Sequence, residues 1–172
     1  MKFSELIKNR YSCREFLNKE VEKEKLDIIL NASRLAPTAC NFQPQRILVL
    51  TNKEKLNELK ECTRFTFDAP VILAICYDKN VSWKRKYDNK DEGVIDIGII
   101  ATHLMLQITE LGLASTLVGA FDPHKAKQIL NIPDNYSIEL LLPFGYPAKN
   151  IKPSSMHYER KTINETVFLE EF

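Results

Sequence analysis

The chain has 172 residues, 44% of them hydrophobic, which is enough for one substantial core and falls within the size range of a single domain. Its 24 basic and 23 acidic side chains leave a net charge of +1, so no overall field gathers nucleic acid or an anionic membrane, and any anion site has to be local. Cys13, Cys40, Cys62 and Cys76 lie far apart with no Cys-x-x-Cys pair, a pattern that signals neither zinc nor an iron–sulfur cluster and fits reduced thiols in the cytoplasm.

In chain order, residues 1–9 alternate apolar and charged groups and hold no apolar run of signal-peptide length. Leu6 and Ile7, then Leu26, Ile29, Leu30 and Ala32, recur at helical spacing and predict a short helix and a longer one ending before Pro37. Residues 47–50 (ILVL) predict a short strand, followed by a helix through Lys60 with Asn52 as its N-cap. Residues 71–77 (VILAICY) are apolar on both faces, as expected of a central strand covered on each side. Residues 83–92 (WKRKYDNKDE) are highly charged and predict a solvated loop or a lid. Next comes a long helix marked by Ile95, Ile99, His103 and Leu106 and stopped at Gly112; its Asp96, His103, Gln107 and Glu110 make it a buried helix rather than a membrane span. Residues 115–118 predict a strand, Asp122-Pro123 opens a helix to Leu130, and residues 138–144 predict the last strand. The polar tail ends in Val167, Phe168, Leu169 and Phe172, large apolar groups without a core of their own.

Helices and strands mix without a strict βαβ rhythm, and neither a Gly-x-Gly-x-x-Gly nor a P-loop motif occurs, so a dinucleotide-binding Rossmann domain is disfavoured. Two segments carry chemistry. Arg10-Tyr11-Ser12-Cys13-Arg14 sets two guanidinium forks around a hydroxyl, which suits phosphate oxygens; a solvated basic turn has the same composition. Asn41 and Gln43, between Pro37 and Pro44, offer amides that both donate and accept, as a heterocycle with mixed edges requires; amides in such a loop also cap backbone groups. His103, on an apolar helical face, reads as a packed or dimer-contact residue, and Cys13 and Cys40 as small hydrophobes. No Ser-His-Asp or Cys-His set is visible.

Taken together, Arg-x-Ser-x-Arg at 10–14 and Ala-Pro-Thr-Ala-x-Asn-x-Gln-Pro at 36–44 resemble the FMN-binding signature of the nitroreductase family. The likeness continues in order through Asp96-Ile-Gly98, Leu111-Gly112-Leu113, residues 118–122 (VGAFD), Ile132-Pro133 and Gly145-Tyr146-Pro147. It implies an α+β, three-layer fold: a central mixed or antiparallel sheet flanked by helices, one domain over residues 1–172, and an arm-swapped homodimer in which residues 150–172 wrap the partner. It also implies FMN at the dimer interface. Arg10, Ser12, Arg14 and Arg160 would hold the phosphate, with Tyr11 supporting it through backbone contact. Pro37, Thr38 and Ala39 would line the ring from the partner chain, Asn41 and Gln43 would bond flavin or ribityl polar atoms, and Val118, Gly119 and Ala120 would approach N5.

The implied activity is hydride transfer from NADH or NADPH to the flavin and then to a quinone, nitroaromatic or other small acceptor, with no protein group acting as acid, base or nucleophile. Alternatives are a non-catalytic FMN-binding or storage module and a flavin enzyme of the destructase or dehalogenase type. Two departures from the family pattern bear on the substrate pocket: Gln45 stands where many members carry Trp, and Cys40 occupies a position that is more often small or hydroxylated. The chain is also short for the family, so long lid helices are not expected. Neither nucleic acid nor a membrane is expected as a partner.

Overall fold

The computed structural model describes residues 1–172. Helix α1 (Phe3–Asn9) and helix α2 (Lys23–Leu35) precede strand β1 (Gln45–Leu50); helix α3 (Lys53–Glu58) leads to strand β2 (Val71–Asp78). Helix α4 (Gly93–Glu110), strand β3 (Ala114–Ser115), helix α5 (Pro123–Ile129) and strand β4 (Tyr136–Gly145) complete the body. The tail contains only the short 3-10 turns Ser155–His157 and Ile163–Glu165.

The four strands form one sheet in the order β1-β2-β4-β3, every ladder antiparallel. All eight residues of β2 are buried, and the pleat divides the seven apolar ones between two cores. Val71, Leu73, Ile75 and Tyr77 face α2 and α4 and join Ile29, Ile97, Ile100, Leu104 and Ile108. Ile72, Ala74 and Cys76 face the opposite way, among Leu50, Leu59, Ala126, Ile138 and Leu141. Helix–sheet–helix layering follows directly from a strand that is apolar on both faces. Each fully buried Leu or Ile contributes about 1.5–3 kcal/mol, so the layers rest on side-chain burial more than on helix propensity.

The caps form where the sequence places them. Asn52 accepts from the Glu54 and Lys55 amides at 2.9 and 3.1 Å, and Asp122 from those of His124 and Lys125 at 3.0 and 3.1 Å. Gly112 ends α4 at φ +74°, a conformation that favours glycine. At the other end, a Cβ on Gly93 would sit 2.4 Å from the Tyr77 ring, so only glycine lets the start of α4 rest on β2. Helix α4 has the length and apolarity to cross a membrane, yet Ile97, Ile100, Ala101, Leu104 and Ile108 lie in the core, as the polar positions along it predict.

Strands β1 and β4 each begin two residues earlier than expected, and two elements end early. The helix after Asn52 ends at Glu58 and tightens into a 3-10 turn over Leu59–Glu61. The strand expected over 115–118 is cut to Ala114–Ser115, with Val118 rejoining Leu141 as an isolated bridge. Beyond the Ser115↔Phe144 pair the next strand residue is Pro143, which accepts from the Thr116 amide at 3.1 Å but has no N–H to return. The ladder breaks there.

Candidate functional site

Helix α1 hands the chain to Arg10, whose amide closes on the Leu6 carbonyl at 3.0 Å while its backbone turns extended. The extended segment docks beside β3: Ser12 forms a parallel bridge with Ser115, and the Cys13 amide donates to the Ser115 carbonyl at 3.0 Å. Alternation then buries Cys13 completely and leaves Ser12 and Arg14 facing outward.

The tail meets this segment from the far end of the sequence. His157 Nε2 lies 3.2 Å from the Lys8 carbonyl, and Arg160 Nη1 donates to the carbonyls of Met156 and Glu159 at 3.2 and 2.6 Å. The result is a cavity of about 180 Å³ between Arg10, Tyr11, Ser12 and Arg14 on one side and Ser154, Met156, His157 and Arg160 on the other. All four residues expected to hold a phosphate line it, together with Tyr11.

Its lining is cationic. None of Arg10, Arg14 or Arg160 forms an ion pair, and no acidic side chain lines the cavity. Burial, and then repulsion from Arg160, lowers the Arg10 pKa from its ordinary value. Burial, followed by neighbouring Cys13, pushes the Tyr11 hydroxyl up to about 12, so this phenol is neutral at physiological pH.

A second cavity of about 190 Å³ adjoins the first through Arg14, which lines both. It is bounded by Val118, Gly119 and Ala120, by Thr116 and Leu117, and by Phe65 and Phe67. Val118 and Leu141 exchange backbone hydrogen bonds of 2.9 Å, and Thr63 Oγ1 donates to the Ala120 carbonyl at 2.7 Å, which fixes this wall. The amides of Gly119 and Ala120 make no backbone hydrogen bond, and a Cβ at Gly119 would meet nothing within 4 Å. Arg14 therefore connects a cationic end to a wall with open backbone donors.

The loop over 37–43 stands apart. Pro37, Thr38, Ala39, Asn41 and Gln43 line neither cavity, so one chain does not bring them to the arginines. The loop is nevertheless firmly built. Asp96, buried in the first turn of α4, accepts the Ala39 amide at 2.9 Å, and Thr38 Oγ1 accepts the Gln43 amide at 3.0 Å. Cys40, Asn41 and Gln43 all have left-handed backbones, with φ of 51°, 54° and 51°. Left-handed residues other than glycine cost energy and persist only where the surroundings impose them. Gln43 Nε2 donates to the Asn41 carbonyl at 3.3 Å, and both side chains are exposed. Cys40 corrects the expectation of a buried small hydrophobe, because this turn holds it exposed, whereas Cys13 is buried as expected.

Sequence reasoning passed over Ser154, Met156, His157, Phe65 and Phe67. His157 sits three residues before Arg160, and one turn of tail carrying two basic groups is the signal that could have found it. The loop over 83–92 lines neither cavity and is closed on itself: Arg85 pairs with Asp88, Arg85 lies 3.4 Å from Glu92, and Ser82 Oγ donates to Asp91 at 2.8 Å.

The family model described as "Nitroreductase family" matches residues 7–64 and 60–146. A solved nitroreductase family protein from Clostridium difficile 630 is 40% identical and superposes with a TM-score of 0.94, each chain covered over 100% of its length. An FMN-dependent nitroreductase from C. difficile R20291 is 29% identical with a TM-score of 0.81, covering 97% of this chain and 98% of that one. The FMN reductase [NAD(P)H] of Bacillus subtilis strain 168 is 29% identical over 90% of this chain and 70% of its own.

Proposed function

The chain belongs to the nitroreductase family, and from that premise we propose that it is an FMN-dependent oxidoreductase that draws on NADH or NADPH and reduces a quinone, a nitroaromatic or another small acceptor. The observation that carries the reading is the cavity where Arg10, Arg14 and Arg160 converge without a carboxylate. A phosphate monoester matches this donor set: planar guanidinium forks, the Ser12 hydroxyl and no competing acid. The relatives named for FMN and NAD(P)H support the same cofactor and reductant.

When bound, the flavin supplies the redox chemistry, a ring that takes up a hydride and passes electrons on. The chain supplies binding and orientation. Arg10, Ser12, Arg14 and Arg160 hold the phosphate, with Tyr11 as a neutral support. Arg14 lines both cavities and would hold the flavin phosphate where they adjoin. The open amides of Gly119 and Ala120, beside Val118, lie where backbone donors can stabilise negative charge on a reduced ring. No side chain is required as acid, base or nucleophile.

The site is completed by a second copy of the chain. The built but detached loop contributes Pro37, Thr38 and Ala39 against the ring and Asn41 and Gln43 to its polar atoms, from the partner. Exposed Phe3, Ile7, Ile28, Leu35, Val94 and Ile95 support such an interface. His103 lies among them, at a cavity of about 410 Å³ between α1, α2 and α4. Residues 1–172 form one domain, and residues 150–172 act as the arm that wraps the partner, carrying exposed Val167, Phe168, Leu169 and Phe172. The four free thiols support a cytoplasmic location.

The test is an absorbance spectrum of the purified protein, identification of the released flavin, and anaerobic addition of NADH and NADPH. A yellow protein that releases FMN and is bleached by either nicotinamide is expected. Bleaching by dithionite alone would make it an FMN store, and failure to bind FMN would overturn the assignment.

A further inference from the structure

His157 is the one imidazole among the residues that line the phosphate cavity, and its hydrogen bonding limits what it can do there. Its Nε2 lies 3.2 Å from the Lys8 carbonyl, an oxygen that only accepts, so the proton of the neutral ring sits on Nε2. Nδ1 is then a bare acceptor. A phosphate also presents only acceptors, so the ring can meet it through Nδ1 only after taking a second proton.

The groups around it do not share this behaviour. Arg10, Arg14 and Arg160 stay charged throughout the range, Tyr11 stays neutral, and Ser12, Ser154 and Met156 do not ionise. Tyr158 packs edge-on against the imidazole with centroids 4.9 Å apart, and Glu159 gives its backbone carbonyl to Arg160. Cys13, behind the loop, is buried and has its pKa raised by that burial. The other two histidines of the chain, His103 and His124, do not line the cavity.

We propose that His157 is a proton-linked fifth ligand of the phosphate, so that the cofactor is held most tightly when this imidazole carries both protons. The inference rests on the phosphate reading of the cavity and adds to it a coupling between pH and cofactor retention. Because the same ring anchors the tail to the end of α1, phosphate binding also tightens the docking of the C-terminal segment.

The test measures FMN affinity by fluorescence quenching from pH 6 to 8 for the wild-type protein, His157→Gln and His157→Arg, with riboflavin as the ligand that lacks the phosphate. Calorimetry at pH 7 in two buffers of different ionisation enthalpy counts the protons taken up. Wild-type affinity is expected to fall about tenfold across the range, equivalent to one unit of differential protonation. His157→Gln binds at the weaker level with a flatter profile and loses the proton uptake, while His157→Arg stays tight at both ends. Riboflavin binding is insensitive to all three changes. The second ionisation of the phosphate, near about pH 6, is common to every variant and cancels between them. If His157→Gln reproduces the wild-type profile and proton uptake, the inference is wrong while the flavin assignment stands. If the wild-type protein binds no FMN at any pH, the flavin assignment itself fails.

Discussion

Asp96 reaches from the first turn of α4 to accept the Ala39 amide at 2.9 Å, and its second carboxylate oxygen is buried without a partner. This contact ties a helix of the core to the loop over 37–43, which contains three left-handed residues. Removing the acceptor leaves a part-buried amide unpaired as well. Asp96→Ala is therefore expected to lower stability by about 1–3 kcal/mol in urea unfolding, the cost of an unsatisfied buried group. Asp96→Asn keeps an oxygen for Ala39 and should lose less. Equal stability of the alanine variant and the wild type would show that the loop holds its shape without this anchor.

Arg10 and Arg160, which line one cavity, should show opposite effects with and without ligand. Each charge-assisted hydrogen bond to a phosphate is worth about 1.5–3 kcal/mol, so the double variant Arg10→Ala/Arg160→Ala should bind FMN at least about 100-fold more weakly. In the free protein the same change removes two like charges that repel each other. Its melting temperature without flavin should match or exceed that of the wild type. Unchanged FMN affinity in a fluorescence titration would remove the phosphate site from this cavity.

How far the sequence revealed the structure depends on where each feature takes its information. β2 was legible because burial on both faces writes a continuous apolar run, and Asn52 and Asp122 were legible because capping is a local contact. Arg10, Ser12, Arg14 and Arg160 were recognisable by type and by resemblance, and one cavity gathers them. The place of His157 beside them was not, because it depends on a contact to Lys8 across 149 positions of sequence. The shortening of β3 was hidden for a similar reason: it is decided by Pro143 on the neighbouring strand, not by residues 115–118.

Cys40 offers a chemical report on the proposed two-chain site. It is the only exposed cysteine of the four, and burial pushes the Cys76 thiol up to about 12, so brief alkylation at pH 8 should label Cys40 and spare Cys13, Cys62 and Cys76. If a partner's flavin lies against residues 37–43, adding FMN slows this labelling. Mass spectrometry with and without FMN reads the rate. Identical rates would separate the loop from the flavin.

Tyr146 provides the pH-dependent element of stability. Its hydroxyl lies 2.9 and 2.7 Å from the two Glu22 oxygens and accepts from Lys25 Nζ at 2.8 Å, with Lys19 over its ring at 3.8 Å. The Tyr146 hydrogen bond, before the nearby lysines, lowers the Glu22 pKa from 4.5 to about 2. A depressed carboxylate contributes fully above its ordinary value and loses that contribution as pH falls through the folded one. Tyr146→Phe should therefore melt below the wild type at pH 7, with the gap narrowing below about 4.5 and closing near about 2. The group is exposed, so solvent screening keeps the gap small. A gap independent of pH would assign the loss to packing alone.

Turnover tests how open the site is. Selectivity requires a shaped pocket with placed polar groups, and the wall beside the second cavity offers Phe65, Phe67, Leu117 and open backbone at Gly119, with little that reads a particular acceptor. The charged loop over 83–92 is the remaining candidate for a lid, but its internal ion pairs hold it closed on itself, away from both cavities of its own chain. Steady-state assays with NADH or NADPH should accordingly show weak, broad reduction of quinones and nitroaromatics, and shortening the loop to a tight turn should leave the acceptor profile unchanged. Gln45, at the start of β1 with a buried oxygen that has no partner, is the better lever: Gln45→Trp adds an aromatic face and should narrow the acceptor range. Inert artificial acceptors that become substrates only after the loop is shortened would instead make the loop a selective lid, closing over the site of the partner chain.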